Sequence, residues 1–196
     1  MLAGTLQSFA KANDWEHFSS ALKFWDTETG DEVFSIPSGV NGVHDDAFFG
    51  MKASPDGQTI AAVSFQMLSN KLREGAQLML VDVAQRTKKT VDLAPACAIF
   101  RELMFHPSGK WLVVPFQMMA ERLGRDAQPD DLPQPRIALV DARSGQILET
   151  LVSPQVFVSS IAFSPDGNTL ATSGWGEVLL WDFSAPPALA RITPKP

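Results

Sequence analysis

The sequence is poor in the residues that most metal and redox sites use. Its 196 residues include one cysteine, three histidines and no tyrosine. Because Cys97 is alone, the chain can form neither an intrachain disulfide nor a cysteine-based zinc motif. A single thiol is compatible with a reducing compartment, and on that basis a cytoplasmic location is favoured.

Positive charge and long apolar runs are also scarce. The formal net charge is −6, and nucleic-acid binding relies on clustered Lys and Arg, so nucleic acid is not expected as a partner. The one basic run, Arg86-Thr87-Lys88-Lys89, is interpreted as a solvated turn. No apolar stretch approaches the roughly 18 residues of a membrane span. The start of the chain lacks the features of a signal peptide.

Catalytic motifs are missing as well. The chain has no Gly-x-Ser-x-Gly elbow, phosphate-binding glycine loop or Cys-x-x-Cys pair. The densest polar cluster is His44-Asp45-Asp46, which could supply a general base or metal ligands. Alternatively, an aspartate there caps a turn and His44 is structural. No repeated His or carboxylate completes a metal site, so no catalytic residue, metal or cofactor is expected.

What the sequence does contain is a pattern that occurs four times. A short apolar segment ends in a hydrophobic residue followed by aspartate, at Trp25-Asp26, Val81-Asp82, Val140-Asp141 and Trp181-Asp182. Tight-turn signatures precede three of these pairs and end in Gly57, Gly109 and Gly167. Proline presets φ in such turns and glycine supplies the positive φ. Each aspartate is expected to bond the backbone of the turn that follows it.

Repetition at a spacing of roughly 40 to 60 residues predicts a repeat architecture of four-stranded units. In the last unit the strands are expected at Val156–Phe163, Asn168–Gly174, Glu177–Asp182 and Ala188–Thr193. The nearly continuous apolar run at 178–181 predicts a strand that is buried on both faces.

These units resemble the blades of the WD-repeat β-propeller family. The resemblance rests on Ser-Pro-Asp-Gly, Leu-Ala-Thr-Ser-Gly at 170–174, Leu-Leu-Trp-Asp at 179–182 and Phe-Trp-Asp-Thr-Glu-Thr-Gly at 24–30. It implies an all-β fold whose blades have four antiparallel strands; a β-sandwich is the structural alternative. Trp25, Asp26, Trp181, Asp182 and the other repeated residues named above then hold structural repeat positions.

The sequence also departs from the family. A buried polar network in such blades often starts at a Gly-His pair, and only Val43-His44 resembles one here. Ala96-Cys97 and Gln155-Val156 stand in its place in two other units, and two units have Val where Trp is usual. The blades are therefore expected to rely on apolar packing more than on a polar network.

The predicted organisation is about three complete blades and a partial one, roughly fifteen strands in all. Residues 1–38 form a blade that lacks its first strand, and the complete blades span 39–94, 95–153 and 154–196. Propellers close with about four to eight blades. Three expectations follow: the chain is a fragment of a larger propeller and Met1 is internal, two chains form a homodimer that completes the ring, or the ring is small and distorted.

Two long insertions have similar sequences and are expected on the same rim. They are the inserted loops 66–76 and 117–135. The spacing of Met67, Leu68 and Leu72, and that of Met119 and Leu123, suits a short helix with one apolar side. Met and aromatic residues are adaptable contact material. The residues expected to bind a partner are Phe65, Gln66, Met67, Phe116, Gln117, Met118 and Trp175. The alternative is that the insertions only cover the mouth of the channel.

The sequence therefore predicts a non-catalytic scaffold that binds a protein or peptide through the rim with the insertions. One alternative is a fragment without independent function. Another is a propeller enzyme or small-ligand binder, whose site would be built from His44, Asp45 and Asp46 at the mouth of the channel.

Overall fold

The chain folds entirely into β-strands and turns wherever its structure is described. The computed structural model describes the backbone of residues 2–9, 18–37, 46–68, 71–94, 97–99, 102–118, 134–155, 157–174 and 176–184, and the side chains of 21–36, 48, 50–64, 77–93, 102–117, 134–155, 157–174 and 176–184. No helix that could cross a membrane occurs within these ranges. Their fifteen strands are β1 (Leu2–Phe9), β2 (Phe18–Trp25), β3 (Glu32–Pro37), β4 (Asp46–Ala53), β5 (Thr59–Leu68), β6 (Lys71–Asp82), β7 (Thr87–Ala94), β8 (Cys97–Ile99), β9 (Met104–Phe105), β10 (Trp111–Met118), β11 (Arg136–Asp141), β12 (Ile147–Val152), β13 (Ser160–Phe163), β14 (Thr169–Gly174) and β15 (Glu177–Asp182).

The strands form four antiparallel sheets, each made from consecutive segments of the chain. The first sheet has the order β1-β2-β3, the second β4-β5-β6-β7, and the fourth β13-β14-β15. In the third sheet the order is β12-β11-β10-β8, and β9 also pairs with β10. The first strand of this sheet is therefore interrupted between β8 and β9. The strand expected at 188–193 lies outside the described residues.

Three apolar cores hold the sheets together, one between each pair of neighbours in the chain. The first core joins the first and second sheets and includes Leu22 and Phe24. Leu78, Leu112 and other residues fill the core between the second and third sheets. The core between the third and fourth sheets centres on Leu170 and Trp181. Sheets that pack face to face in chain order are the blades of a propeller, so the predicted fold class is confirmed.

The helix expected in the first insertion is wrong. β5 and β6 continue through it as a hairpin, in which Met67 pairs with Leu72 and Leu68 with Lys71. The physical reason is that extending an existing ladder satisfies each added backbone group directly, whereas a short helix must first form a costly nucleus. The corresponding residues of the second insertion, Met119 and Leu123, lie outside the described residues.

The strand β15 is buried on one face only, contrary to the expectation for its apolar run. Leu179 and Trp181 are buried in the core with the third sheet, while Val178 and Leu180 are 60% and 40% exposed. Alternate residues of a strand point to opposite faces. An apolar run therefore shows that both faces can be buried, but the neighbouring sheet decides which one is.

Candidate interaction surfaces

The antiparallel strand order gives the stack of sheets two different ends. Connections between first and second strands, and between third and fourth strands, lie at one end, here called the turn rim; it includes 54–57, 83–86, 106–110, 141–145 and 164–167. Connections between second and third strands, and between successive sheets, lie at the opposite end. This end is called the insertion rim because it carries both long insertions.

On the insertion rim a two-stranded hairpin projects from the second sheet. Its flanking strands make their last described pairs where Asp46 meets Gln66 and where Ala94 meets Ala76. Beyond those pairs, residues 67–72 continue as a hairpin in which β5 and β6 pair with each other. Phe65, Gln66 and Met67 therefore lie at the base of the projecting hairpin and along one of its strands.

The residues expected on the second insertion are distributed differently. Phe116 is only 3% exposed and belongs to the core between the second and third sheets. Its side chain is therefore a packing group here, while that of Gln117, the next residue of β10, is half-buried. Met118 pairs with Cys97 at the end of β10. Trp175 and residues 119–133 lie outside the described residues, so a role in binding stays a prediction for this set.

On the turn rim, the repeated aspartates hold the turns that follow them. Oδ1 of Asp26 accepts the backbone N–H groups of Glu28 and Thr29 at 2.8 and 3.1 Å. Asp141 accepts those of Arg143 and Ser144 at 3.1 and 2.6 Å. These backbone hydrogen bonds lower the pKa of both aspartates, first through Thr29 and Ser144 respectively. The carboxylates are thus anionic at neutral pH and serve the local turn.

A histidine joins the turn rims of the third and fourth sheets. The backbone N–H of Ser108 donates to Nδ1 of His106 at 3.1 Å, which places the ring proton on Nε2. Nε2 in turn donates to the carbonyl of Gly167 in the fourth sheet at 3.2 Å. The ring also stacks on Trp111, with centroids 4.2 Å apart, and meets the edge of Phe163. Burial lowers the pKa of His106 and so favours the neutral ring, while the hydrogen bond to Gly167 raises the pKa by a smaller amount.

The fourth sheet contains a buried polar network beside its apolar core. Nε1 of Trp181 donates to Oγ1 of Thr172 at 3.0 Å, and that hydroxyl donates to Oε1 of Gln155 at 2.7 Å. Nε2 of Gln155 lies 3.4 Å from the carbonyl oxygens of Thr172 and Glu177. The amide of Gln155 therefore completes a buried network that joins β14 and β15 to the segment ahead of β13.

A charged cleft opens on the turn rim between the second and third sheets. Its volume is about 760 Å³, and most of its charged lining comes from turns or from the residues next to them. The cations are Lys88, Lys89, Lys110 and Arg143, and the carboxylates are Asp56, Asp82 and Asp141. The sequence predicts a solvated turn at Lys88 and Lys89, but both residues lie on β7. Only the packing of two repeats brings Lys110 and Arg143 beside them, so no local motif could have identified the cleft.

The remaining candidate for catalysis or metal binding is the cluster His44-Asp45-Asp46. Within the described side chains, no group of three or more His, Cys, Asp or Glu residues could hold a metal ion. Asp46 begins β4 at the insertion rim, while His44 and Asp45 lie outside the described residues. The cluster expected from the sequence therefore stays a prediction.

Comparison with known proteins identifies one repeat directly. The family model described as "WD domain, G-beta repeat" matches residues 145–182, which extend from the turn before β12 to the end of β15. No curated protein matches the chain.

Solved structures with a similar fold include enzymes and an isolated propeller. Kuenenia stuttgartiensis hydrazine synthase is 19% identical with a TM-score of 0.59, and the match covers 83% of this chain and 46% of that one. A structure titled "Structure of Dos1 propeller" is 16% identical with a TM-score of 0.54, and the match covers 84% of this chain and 39% of that one. Pyrococcus horikoshii acylaminoacyl peptidase is 16% identical with a TM-score of 0.64, and the match covers 92% of this chain and 29% of that one.

The match spans less than half the length of each of these three chains. At such low identity the likeness concerns the fold. The repeat matched at residues 145–182 and the four consecutive antiparallel sheets support a WD-repeat β-propeller fold for this chain.

Proposed function

We propose that this chain is a non-catalytic scaffold that binds a protein or peptide through its insertion rim. The observation that carries the proposal is the hairpin of β5 and β6, which extends past the last described pairs with both neighbouring strands. The sheet below it is tied to both neighbouring sheets by apolar cores. A projecting segment on a rigid support is a common form of binding surface.

The composition of the hairpin suits a protein partner. Met67 and Leu68 lie on one strand, and Leu72 with the charged residues Arg73 and Glu74 on the other. Methionine and leucine adapt to irregular apolar contacts, while charged neighbours fix the orientation of a partner. Among the residues expected from the sequence, we propose Phe65, Gln66, Met67, Gln117, Met118 and Trp175 as the contact set and assign Phe116 to the core.

Shortening the hairpin tests the proposal. Phe65 and Ala76 are paired across β5 and β6, so residues 66–75 can be replaced by Asn-Gly, which favours a two-residue hairpin turn. We expect the shortened protein to keep its fold but to lose the proteins that the wild type retains in affinity capture from its native lysate. Quantitative mass spectrometry of the captured proteins is the measurement.

A matched control separates the two rims. Glu28→Ser alters an exposed residue in the turn between β2 and β3, away from the charged cleft, and should leave the captured set unchanged. Circular dichroism and thermal unfolding of both variants establish that they are folded. If the shortened variant captures the same proteins as the wild type, the insertion rim is not the binding surface. If the wild type captures no protein specifically, the chain has no scaffold function by itself.

A catalytic role is the second candidate, because two of the similar structures are titled as enzymes. That likeness concerns the fold, and function must be argued from a site. Elemental analysis of the purified protein and ligand-dependent shifts in its melting temperature distinguish the two readings. A retained metal, or a shift that depends on His44, would favour the enzyme over the scaffold.

We also propose that two chains associate through the outer face of the fourth sheet, which is opposite the core with the third sheet. Val178 and Leu180 are exposed on this face. Apolar sheet faces are normally covered in propellers, where each blade packs against the next. A second copy of the chain would supply such a cover.

A further inference from the structure

We propose that the charged cleft of the turn rim binds an acidic peptide segment of a partner protein. This inference goes beyond the scaffold role proposed for the insertion rim, since the cleft lies at the opposite end of the sheets. It rests on the position of four cations, on the state of three carboxylates and on the shape of the cleft.

The cations come from two different sheets and converge on one cleft. Lys88 and Lys89 belong to β7, while Lys110 and Arg143 follow turns of the third sheet. Nζ of Lys89 donates to the backbone carbonyl of Arg143 at 3.1 Å, which brings the two sides of the cleft together. Within the described side chains no direct ion pair joins these four cations to a carboxylate. The pKa of Asp141 is lowered mainly by its hydrogen bonds from Ser144, and the charge of Arg143 adds a smaller contribution.

The carboxylates of the cleft are engaged by their own turns. Asp56 accepts the hydroxyl of Ser54 at 2.6 Å and the backbone N–H of Gln58 at 3.0 Å. Asp82 accepts the N–H of Gln85 at 2.8 Å, and Asp141 holds its turn in the same way. All these described bonds end on Oδ1 of the aspartates. Oδ2 of each therefore remains as an acceptor for a ligand, and the cations remain available for its acidic groups.

The charges that line the cleft indicate which class of ligand it binds. Four cations against three carboxylates give the cleft a small positive balance in a chain whose net charge is −6. A compact phosphate would be attracted by the lysines but repelled by three aspartates close by. An extended acidic peptide fits both signs, because its side-chain carboxylates bind the cations and its backbone N–H groups donate to Oδ2 of the aspartates.

The shape of the cleft is fixed by the core beneath it. Leu80 and Ala142 line the cleft and also belong to the core between the two sheets. The sheets approach closely at this point, since a Cβ on Gly145 would lie 2.8 Å from Cγ2 of Val91. The volume of about 760 Å³ is in the usual range for a ligand site, but the lining is polar where small-molecule sites are mostly apolar.

Fluorescence anisotropy with the full 196-residue chain tests the proposal. The probe is a fluorescein-labelled peptide of four Glu-Gly repeats, compared with a Gln-Gly peptide of the same length. We expect the acidic peptide alone to bind, and its affinity to fall as NaCl increases because the contacts are exposed. Combined substitution of Lys110→Gln and Arg143→Gln should weaken binding roughly three- to tenfold.

Arg136→Gln is the matched control, because Arg136 begins β11 at the insertion rim while Arg143 follows the other end of the same strand. It removes one positive charge, as each of the two cleft substitutions does, and should leave the affinity unchanged. Equal weakening by the control would overturn the proposal, since binding would then depend on overall charge. Equal binding of both peptides, no binding, or binding of inorganic pyrophosphate without the peptide would also overturn it. The shortened hairpin should bind the acidic peptide normally, which separates this test from that of the insertion rim.

Discussion

At the scale of single residues, the contact between His106 and Gly167 shows how one glycine can have two functions. Gly167 has φ of +75°, which its turn requires, and a Cβ at this position would lie 2.1 Å from Nε2 of His106. Gly57 occupies the same place in the turn of the second sheet, with φ of +69° and no atom within 4 Å of an added Cβ. The two glycines thus share a backbone conformation and differ in their surroundings.

Alanine substitution should separate these two functions. Gly57→Ala is expected to cost about 1 kcal/mol, the usual penalty of a left-handed conformation for a residue with Cβ. Gly167→Ala should cost roughly 2 kcal/mol more, because His106 must move and loses its hydrogen bond and part of its aromatic packing. Urea unfolding of the two variants measures the difference. Equal costs would show that the histidine contact contributes nothing to stability.

At the scale of elements, β14 and β15 are joined by more than their backbone ladder. The hydroxyl of Thr172 on β14 links Trp181 of β15 to Gln155 ahead of β13. All three side chains are buried, with Gln155 only 1% exposed. Buried polar groups need partners, because an unpaired one loses its hydration without compensation. The network therefore fixes the positions of the strands of this sheet.

Thr172→Val tests that conclusion, since it keeps the shape of the side chain and removes the hydroxyl. We expect a loss of about 2 kcal/mol in the free energy of unfolding, because the indole N–H of Trp181 and Oε1 of Gln155 lose a partner. Thr169→Val on the same strand is the control. Its hydroxyl makes no hydrogen bond within the described part of the chain, so its effect should stay within about 0.5 kcal/mol. Chemical denaturation is the measurement, and similar losses in both variants would contradict the structural role of the network.

At the scale of the whole molecule, each sheet packs against the next through its own core. The outer face of the fourth sheet carries Val178 and Leu180, and the proposed homodimer would cover it. Light scattering on a sizing column should then give a mass near twice 21.4 kDa. Val178→Lys with Leu180→Lys should shift the protein to the monomer.

Leu148→Lys provides the control for this prediction, because Leu148 is 44% exposed on β12 of the third sheet. It adds one positive charge, as each of the two substitutions on β15 does, but away from the proposed contact face, and it should leave the dimer intact. A wild-type mass of 21.4 kDa at all concentrations, or a dimer that persists after both substitutions on β15, would exclude this interface.

The sequence by itself determined the features that depend on neighbours in the chain. The turns that end in Gly57, Gly109 and Gly167 follow from the φ values that proline and glycine allow, and all three glycines have positive φ. Alternation of apolar residues together with these turns predicts the strands, and repetition predicts the propeller sheets. Such preferences act within a few residues, so they can be read without knowing the fold.

The tertiary structure decided everything that depends on a second strand or sheet. Residues 66–72 follow a helical spacing but extend a hairpin, because β5 and β6 already provide partners for their backbones. Phe116 matches the other insertion in sequence yet lies in a core. Gln155 joins the buried network of the fourth sheet because its amide reaches Thr172. The cations of the cleft come from separate repeats and are far apart in the sequence. They form one site only because the second and third sheets pack together.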